Sequence, residues 1–106
     1  MAFRVTETES AEKDIDNILK YLKREFGNVT AAAAFADEVD DKYDKYDKLT
    51  DNPYMYEEAR GERLKKLGYR RIPIKNYVML YLVDEAKQEV IIARVFYGKQ
   101  DYTKLI

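Results

Sequence analysis

Near Asn52-Pro53 the apolar periodicity of this chain switches from that of a helix to that of a strand, and few folds accommodate both halves. Before the switch, Ala11, Ile15, Ile18, Leu19, Leu22 and Phe26 form one helical stripe, and Ala32, Phe35, Val39, Tyr43, Tyr46 and Leu49 form a second. Thr6 with Glu9 has capping-box spacing, with Thr8 and Ser10 as rival caps, and Thr30 can cap the second helix. Gly27 can end the first helix, because glycine takes the left-handed C-cap conformation without a Cβ clash. Pro53 stops the second, since proline lacks an amide donor and restricts the residue before it. The short link between the helices predicts an antiparallel hairpin.

Beyond the switch the period is two. Residues 69–74, 77–84 and 89–97 read as three strands of a meander, with turns at Lys75-Asn76 and at 84–88. Tyr77, Met79, Tyr81 and Val83 alternate with Val78, Leu80 and Leu82, so both faces of the middle strand are apolar and it should be central. Pro73 should turn its missing donor to an edge or a bulge. Phe3-Arg4-Val5 reads as a short first strand, and residues 99–105 as a tail with one helical turn. The order is βααβββ, a two-helix antiparallel hairpin packed on an antiparallel sheet. This is an α+β fold, and 106 residues suit one domain, 1–106.

Charge is divided as sharply as periodicity. Residues 1–59 hold 8 Lys/Arg against 15 Asp/Glu, and residues 60–106 hold 11 against 5. The whole-chain value of −1 hides this dipole, whose basic half can attract nucleic acid or an acidic peptide. The densest basic run is Arg60, Arg63, Lys65, Lys66, Arg70, Arg71 and Lys75, opposed only by Glu62. It can grip phosphates by charge and hydrogen bonding, or form a solvated face that balances the acidic helices. Arg94 lies in the apolar run 90–96, where plain alternation puts it on the face of Val90, Ile92 and Phe96. A guanidinium there must reach water, a ligand, or a helix carboxylate such as one near residues 37–41.

The chain has neither cysteine nor histidine. Disulfides, thiolate metal sites, histidine-based zinc sites and Ser-His-Asp or Cys-His catalysis are therefore excluded. No glycine pattern of the dinucleotide or P-loop type occurs. No cofactor and no metal are expected. With no signal-type leader and no apolar run near 18 residues, the expected compartment is the cytoplasm, with no membrane partner. Any chemistry falls to Lys, Arg, Tyr, Asp, Glu or hydroxyls. Of the 10 tyrosines, Tyr43, Tyr46, Tyr77 and Tyr81 have core spacing, while Tyr69, Tyr97 and Tyr102 lie beside cations at strand ends. Rings so placed can stack bases or move a proton, or serve as ordinary rim residues.

The segments Leu67-Gly68-Tyr69-Arg70-Arg71-Ile72-Pro73-Ile74, Asn76-Tyr77-Val78-Met79-Leu80-Tyr81 and Arg94-Val95-Phe96-Tyr97-Gly98-Lys99-Gln100-Asp101-Tyr102 together resemble the RelE/ParE family of bacterial toxins. The resemblance extends to the N-terminal half, where a short strand precedes a helix opening Ala11-Glu12-Lys13-Asp14-Ile15. It implies the toxin half of a type II toxin–antitoxin pair, held in a hetero-oligomer by a cognate antitoxin. RelE-like members cut mRNA in the ribosomal A site without a metal. ParE-like members inhibit DNA gyrase and are not nucleases. On the first reading, which the residues favour slightly, Arg70, Arg71 and Lys75 hold phosphates. Arg94 or Lys99 steadies the charged intermediate, and Tyr97 or Tyr102 stacks a base or shuttles a proton. Three departures set the chain apart from that branch: Val78 stands where an arginine follows the tyrosine, Gln100 replaces the second of a basic pair, and no late catalytic tyrosine follows Tyr102. The ParE-like Arg-Arg-Asp is only approximated by Lys99-Gln100-Asp101. The gyrase inhibitor, and a degenerate toxin that only binds its antitoxin, are the alternatives.

Overall fold

The computed structural model describes residues 2–25, 29–74, 76–98 and 102–104. Their elements run β1 (Arg4–Glu7), α1 (Glu9–Glu25), α2 (Val29–Asp40), α3 (Lys42–Asp51), α4 (Glu62–Lys66), β2 (Arg70–Ile74), β3 (Tyr77–Asp84), β4 (Glu89–Tyr97) and a 3₁₀ turn (Tyr102–Lys104). The fold is α+β, with four strands in one sheet ordered β1-β4-β3-β2. β2, β3 and β4 form the expected antiparallel meander, and β3 is central. β1, however, runs parallel to β4, from Arg4 opposite Glu89 to Glu7 opposite Ile92. The sheet is therefore mixed rather than purely antiparallel. The helices form the crossover that a parallel neighbour requires.

Alternation along β3 gives the sheet two cores. Met79 and Tyr81 join Ala11, Ile15, Leu22, Phe35, Tyr46 and Leu49 under the helices. Val78 and Leu80 join Ala59, Leu64, Phe96 and Tyr102 on the opposite face. α1 starts at Thr8, whose Oγ1 accepts the Ala11 amide at 3.0 Å, which decides among the rival caps. The same hydroxyl donates to the Ala93 carbonyl at 2.8 Å and pins the helix start to β4. Gly27 lies outside the described residues. Thr30 falls inside α2, which already begins at Val29, and so is not its cap.

Two local departures redirect side chains. The second helix is broken between α2 and α3, with Asp41 at φ −71° and ψ −8°. Lys42 then takes the inward position expected of Tyr43, which is 64% exposed. The buried ammonium is accommodated because Glu7 Oε2 lies 2.7 Å from Lys42 Nζ and also accepts the Tyr46 hydroxyl at 2.7 Å. In β4, Leu80 faces Arg94 but Tyr81 faces Ile92, so Ala93 is the extra residue of a β-bulge. The bulge reverses the alternation. Val90, Ile92 and Val95 face the helices, while Phe96 faces the other core. Arg94, whose Cζ lies 4.7 Å from the Phe96 ring centroid, goes with Phe96 and not with Val90 and Ile92.

α4 ends in a Schellman motif. The Gly68 amide bonds the Lys65 carbonyl at 3.0 Å and the Tyr69 amide bonds the Leu64 carbonyl at 3.0 Å, with Gly68 at φ +90°. Leu64 and Tyr69, the pair that brackets this motif, pack in the same core.

Candidate functional site

The site is built on β2, an edge strand, and on the segment before α4 that runs beside it. Ala59 donates to the Tyr69 carbonyl at 2.9 Å and Arg71 to the Glu57 carbonyl at 3.0 Å, bridging Glu58 to Arg70. In this antiparallel pattern residues 69, 71 and 73 turn their backbone polar groups outward. Pro73 thus points its donorless nitrogen away from the ladder, as its chemistry demands.

The two β2 arginines brace that segment. Arg70 Nη1 donates to the Tyr56 carbonyl at 2.7 Å and the Tyr54 carbonyl at 3.4 Å, and its Cζ lies 5.0 Å from the Tyr54 ring centroid. Arg71 Nη2 lies 2.7 Å from Glu57 Oε2, and its Nε is buried without a partner. Tyr81 donates to the Pro53 carbonyl at 2.8 Å, and Tyr54 donates to Glu85 in the β3–β4 turn. The sequence marks this segment only as a seam. Its signal was complementary charge, because Glu57-Glu58 is the acidic pair nearest the basic run.

Between this segment, β2 and the start of β3 lies a groove of about 510 Å³, lined by Tyr56, Arg60, Arg71, Asn76, Tyr77 and Tyr102 among others. Burial pushes the Tyr56 and Tyr77 phenols above their ordinary value, which holds both neutral. Tyr77 packs edge-on to Phe35 at 4.8 Å and to Tyr97 at 5.7 Å. Tyr97, at 42% exposure, is the rim ring expected from the sequence.

Tyr102 is not. It is 3% exposed, stacks on Phe96 with ring centroids 6.0 Å apart, and its hydroxyl accepts the Arg60 amide at 3.3 Å. Its ring is a core element with no face open to a base. Arg94 makes a bidentate pair with Asp14 of α1, at 2.8 Å from Nε and 3.2 Å from Nη2. The carboxylate hydrogen bonds raise the guanidinium pKa further. The helix carboxylate that meets Arg94 is therefore on α1 and not near residues 37–41. Lys75 and Lys99 lie outside the described residues.

On the far side of the second core, α4 presents Arg63, Lys65 and Lys66, with Arg60 just before it. All four are exposed. Arg63 Nη2 donates to the Thr103 carbonyl at 2.7 Å. Arg60, Lys65 and Lys66 have no ion-pair partner among the described residues. The structure thus splits the predicted basic run. The β2 part is occupied with bracing, and the α4 part faces solvent. Among the described residues no helix is long and apolar enough to cross a membrane, and no acidic cluster is placed to hold a metal ion.

Two toxin–antitoxin systems are among the solved structures that share this fold. The toxin–antitoxin complex RelBE2 from Mycobacterium tuberculosis aligns with a TM-score of 0.55 and 19% identity, over 92% of this chain and 99% of that one. The chromosomal ParDE toxin–antitoxin system from P. aeruginosa aligns with a TM-score of 0.65 and 15% identity, over 92% and 98%. A search of curated proteins finds no match. The family model for the ParE toxin of the parDE type II toxin–antitoxin system matches residues 5–102. The chain belongs to that family, the ParE toxins of type II toxin–antitoxin systems.

Proposed function

We propose that this toxin arrests growth by binding DNA gyrase, and that it does not cut RNA. The observation that carries this reading is the internal engagement of the arginines a nuclease would need. Arg94 is held by Asp14, Arg71 by Glu57, and Arg70 by two backbone carbonyls. Metal-free RNA cleavage needs a cation free to meet the charge that develops on phosphorus and a group ready to move a proton. The groove offers neutral phenols with raised pKa values, and Tyr102 is enclosed. The match to the ParE model, and Val78 where RelE-like toxins carry arginine, support the same reading. A cognate antitoxin is the neutralising partner, in keeping with the toxin–antitoxin systems that share the fold.

Purified toxin added to gyrase and relaxed plasmid should block supercoiling. Added to translating ribosomes, it should leave mRNA uncut. Discrete A-site cuts, lost in Arg70→Ala with Arg71→Ala, would instead establish the ribosome-dependent nuclease. Activity in neither assay, with unimpaired growth on expression, would leave a chain that only binds its antitoxin.

A further inference from the structure

We propose that the solvent face of α4 is a contact surface for the phosphate backbone of duplex DNA. The biological setting rests on the gyrase reading, since gyrase works on duplex DNA, but the surface is argued from its own geometry. Leu64 is fully buried against the sheet. At 100° per residue, Arg63 and Lys65 then flank the helix and Lys66 points directly outward. Among the described residues Arg60, Lys65 and Lys66 form no ion pair, and Glu62, which shares the outward side with Lys66, is the one carboxylate in the run. Polarity fixes the orientation. α2, α3 and Asp41 between them carry the acidic residues Asp37, Asp40, Asp41, Asp44, Asp47 and Asp51 on the opposite face of the sheet. A polyanion is repelled from the helical layer and drawn to α4.

Shape favours DNA over an acidic peptide. Cations that fan outward from a convex turn meet a continuous line of phosphates, and this needs no groove. A peptide of defined sequence needs pockets for anchoring side chains. The cavity described above lies between the 53–59 segment, β2 and the start of β3, and of the three cations only Arg60 lines it.

Binding of the purified chain to a 20-base-pair duplex, followed by fluorescence anisotropy, tests this. Three phosphate contacts predict a slope of about −2.7 for log affinity against log salt, or roughly a 40-fold loss between 50 and 200 mM salt. Arg60→Gln with Lys65→Gln and Lys66→Gln should flatten that slope toward zero. Lys13→Gln with Lys20→Gln and Lys23→Gln removes equal charge from α1 and should leave it unchanged. Matching urea midpoints would confirm that both variants fold. Equal loss in both triple variants, tighter binding to a single-stranded RNA 20-mer or to polyglutamate than to the duplex, or no binding at 50 mM salt would each overturn the proposal. DNA binding without gyrase inhibition would remove the gyrase reading and leave the surface standing. Gyrase inhibition without DNA binding would do the reverse.

Discussion

Asp14 and Arg94, eighty residues apart in sequence, form a bidentate ion pair that closes the open edge of β4. β1 stops at Glu7, opposite Ile92, and beyond it Asp14 Oδ2 accepts the Val95 amide at 2.9 Å, where a strand would otherwise have to supply a carbonyl. Asp14→Ala leaves a partly buried guanidinium and a strand amide unpaired, and should cost about 2–3 kcal/mol. Arg94→Ala should cost less, because Asp14 keeps its bond to Val95. A double-mutant cycle by urea unfolding should give a coupling of about 1–2 kcal/mol. A coupling near zero would show that the pair does not hold α1 to β4.

Glu7 and Lys42 pose the complementary case. Lys42 is 8% exposed, and its ammonium depends on one carboxylate oxygen that Tyr46 shares. Glu7→Ala strands that charge and should lower stability by about 3 kcal/mol in thermal unfolding. Lys42→Met combined with Glu7→Gln removes both charges and should fall within about 1 kcal/mol of the wild type.

Tyr81 makes stability fall with rising alkalinity. Burial pushes its phenol up to about 12 from an ordinary 10.0. The folded chain therefore keeps a proton that the unfolded chain loses. The contribution is complete below pH 10 and is lost as pH climbs toward about 12. Urea midpoints between pH 9 and 12 should decline more steeply in the wild type than in Tyr81→Phe. The Tyr46 phenol, also raised by burial and by Glu7, would account for part of the remaining slope.

Gly68 and Gly61 separate backbone strain from crowding. Both have positive φ, +90° and +87°. A Cβ on Gly68 finds only Leu82 Cδ2 at 4.0 Å, so Gly68→Ala should cost the strain alone, about 1–2 kcal/mol. A Cβ on Gly61 meets Thr103 Cγ2 at 3.0 Å, so Gly61→Ala should cost more and shift the turn at Tyr102–Lys104. Paired urea titrations and amide spectra of residues 102–104 would check both.

The architecture was legible where one physical signal dominated. The bounds of β3 and β4, the central place of β3 and the outward nitrogen of Pro73 follow from alternation and from proline's missing donor. Periodicity is silent on which strand lies beside β1, because that depends on where the crossover returns the chain. It also failed at Tyr43, since Lys42 and Tyr43 both fit a helical stripe and only Glu7, far away in sequence, selects the lysine. The basic run read correctly as a run. Its division into bracing arginines and solvent-facing cations was hidden, because it depends on which carbonyls and carboxylates the 53–59 segment brings alongside β2.

Ala93 acts as a parity switch. Were it paired in the ladder instead of bulged out of it, every later position of the strand would change sides. Val95 would leave the helical layer, and Phe96 would abandon the ring of Tyr102. The bulging of a single small residue thereby determines whether Tyr102 has a hydrophobic berth, and with it the support beneath the Arg60 amide.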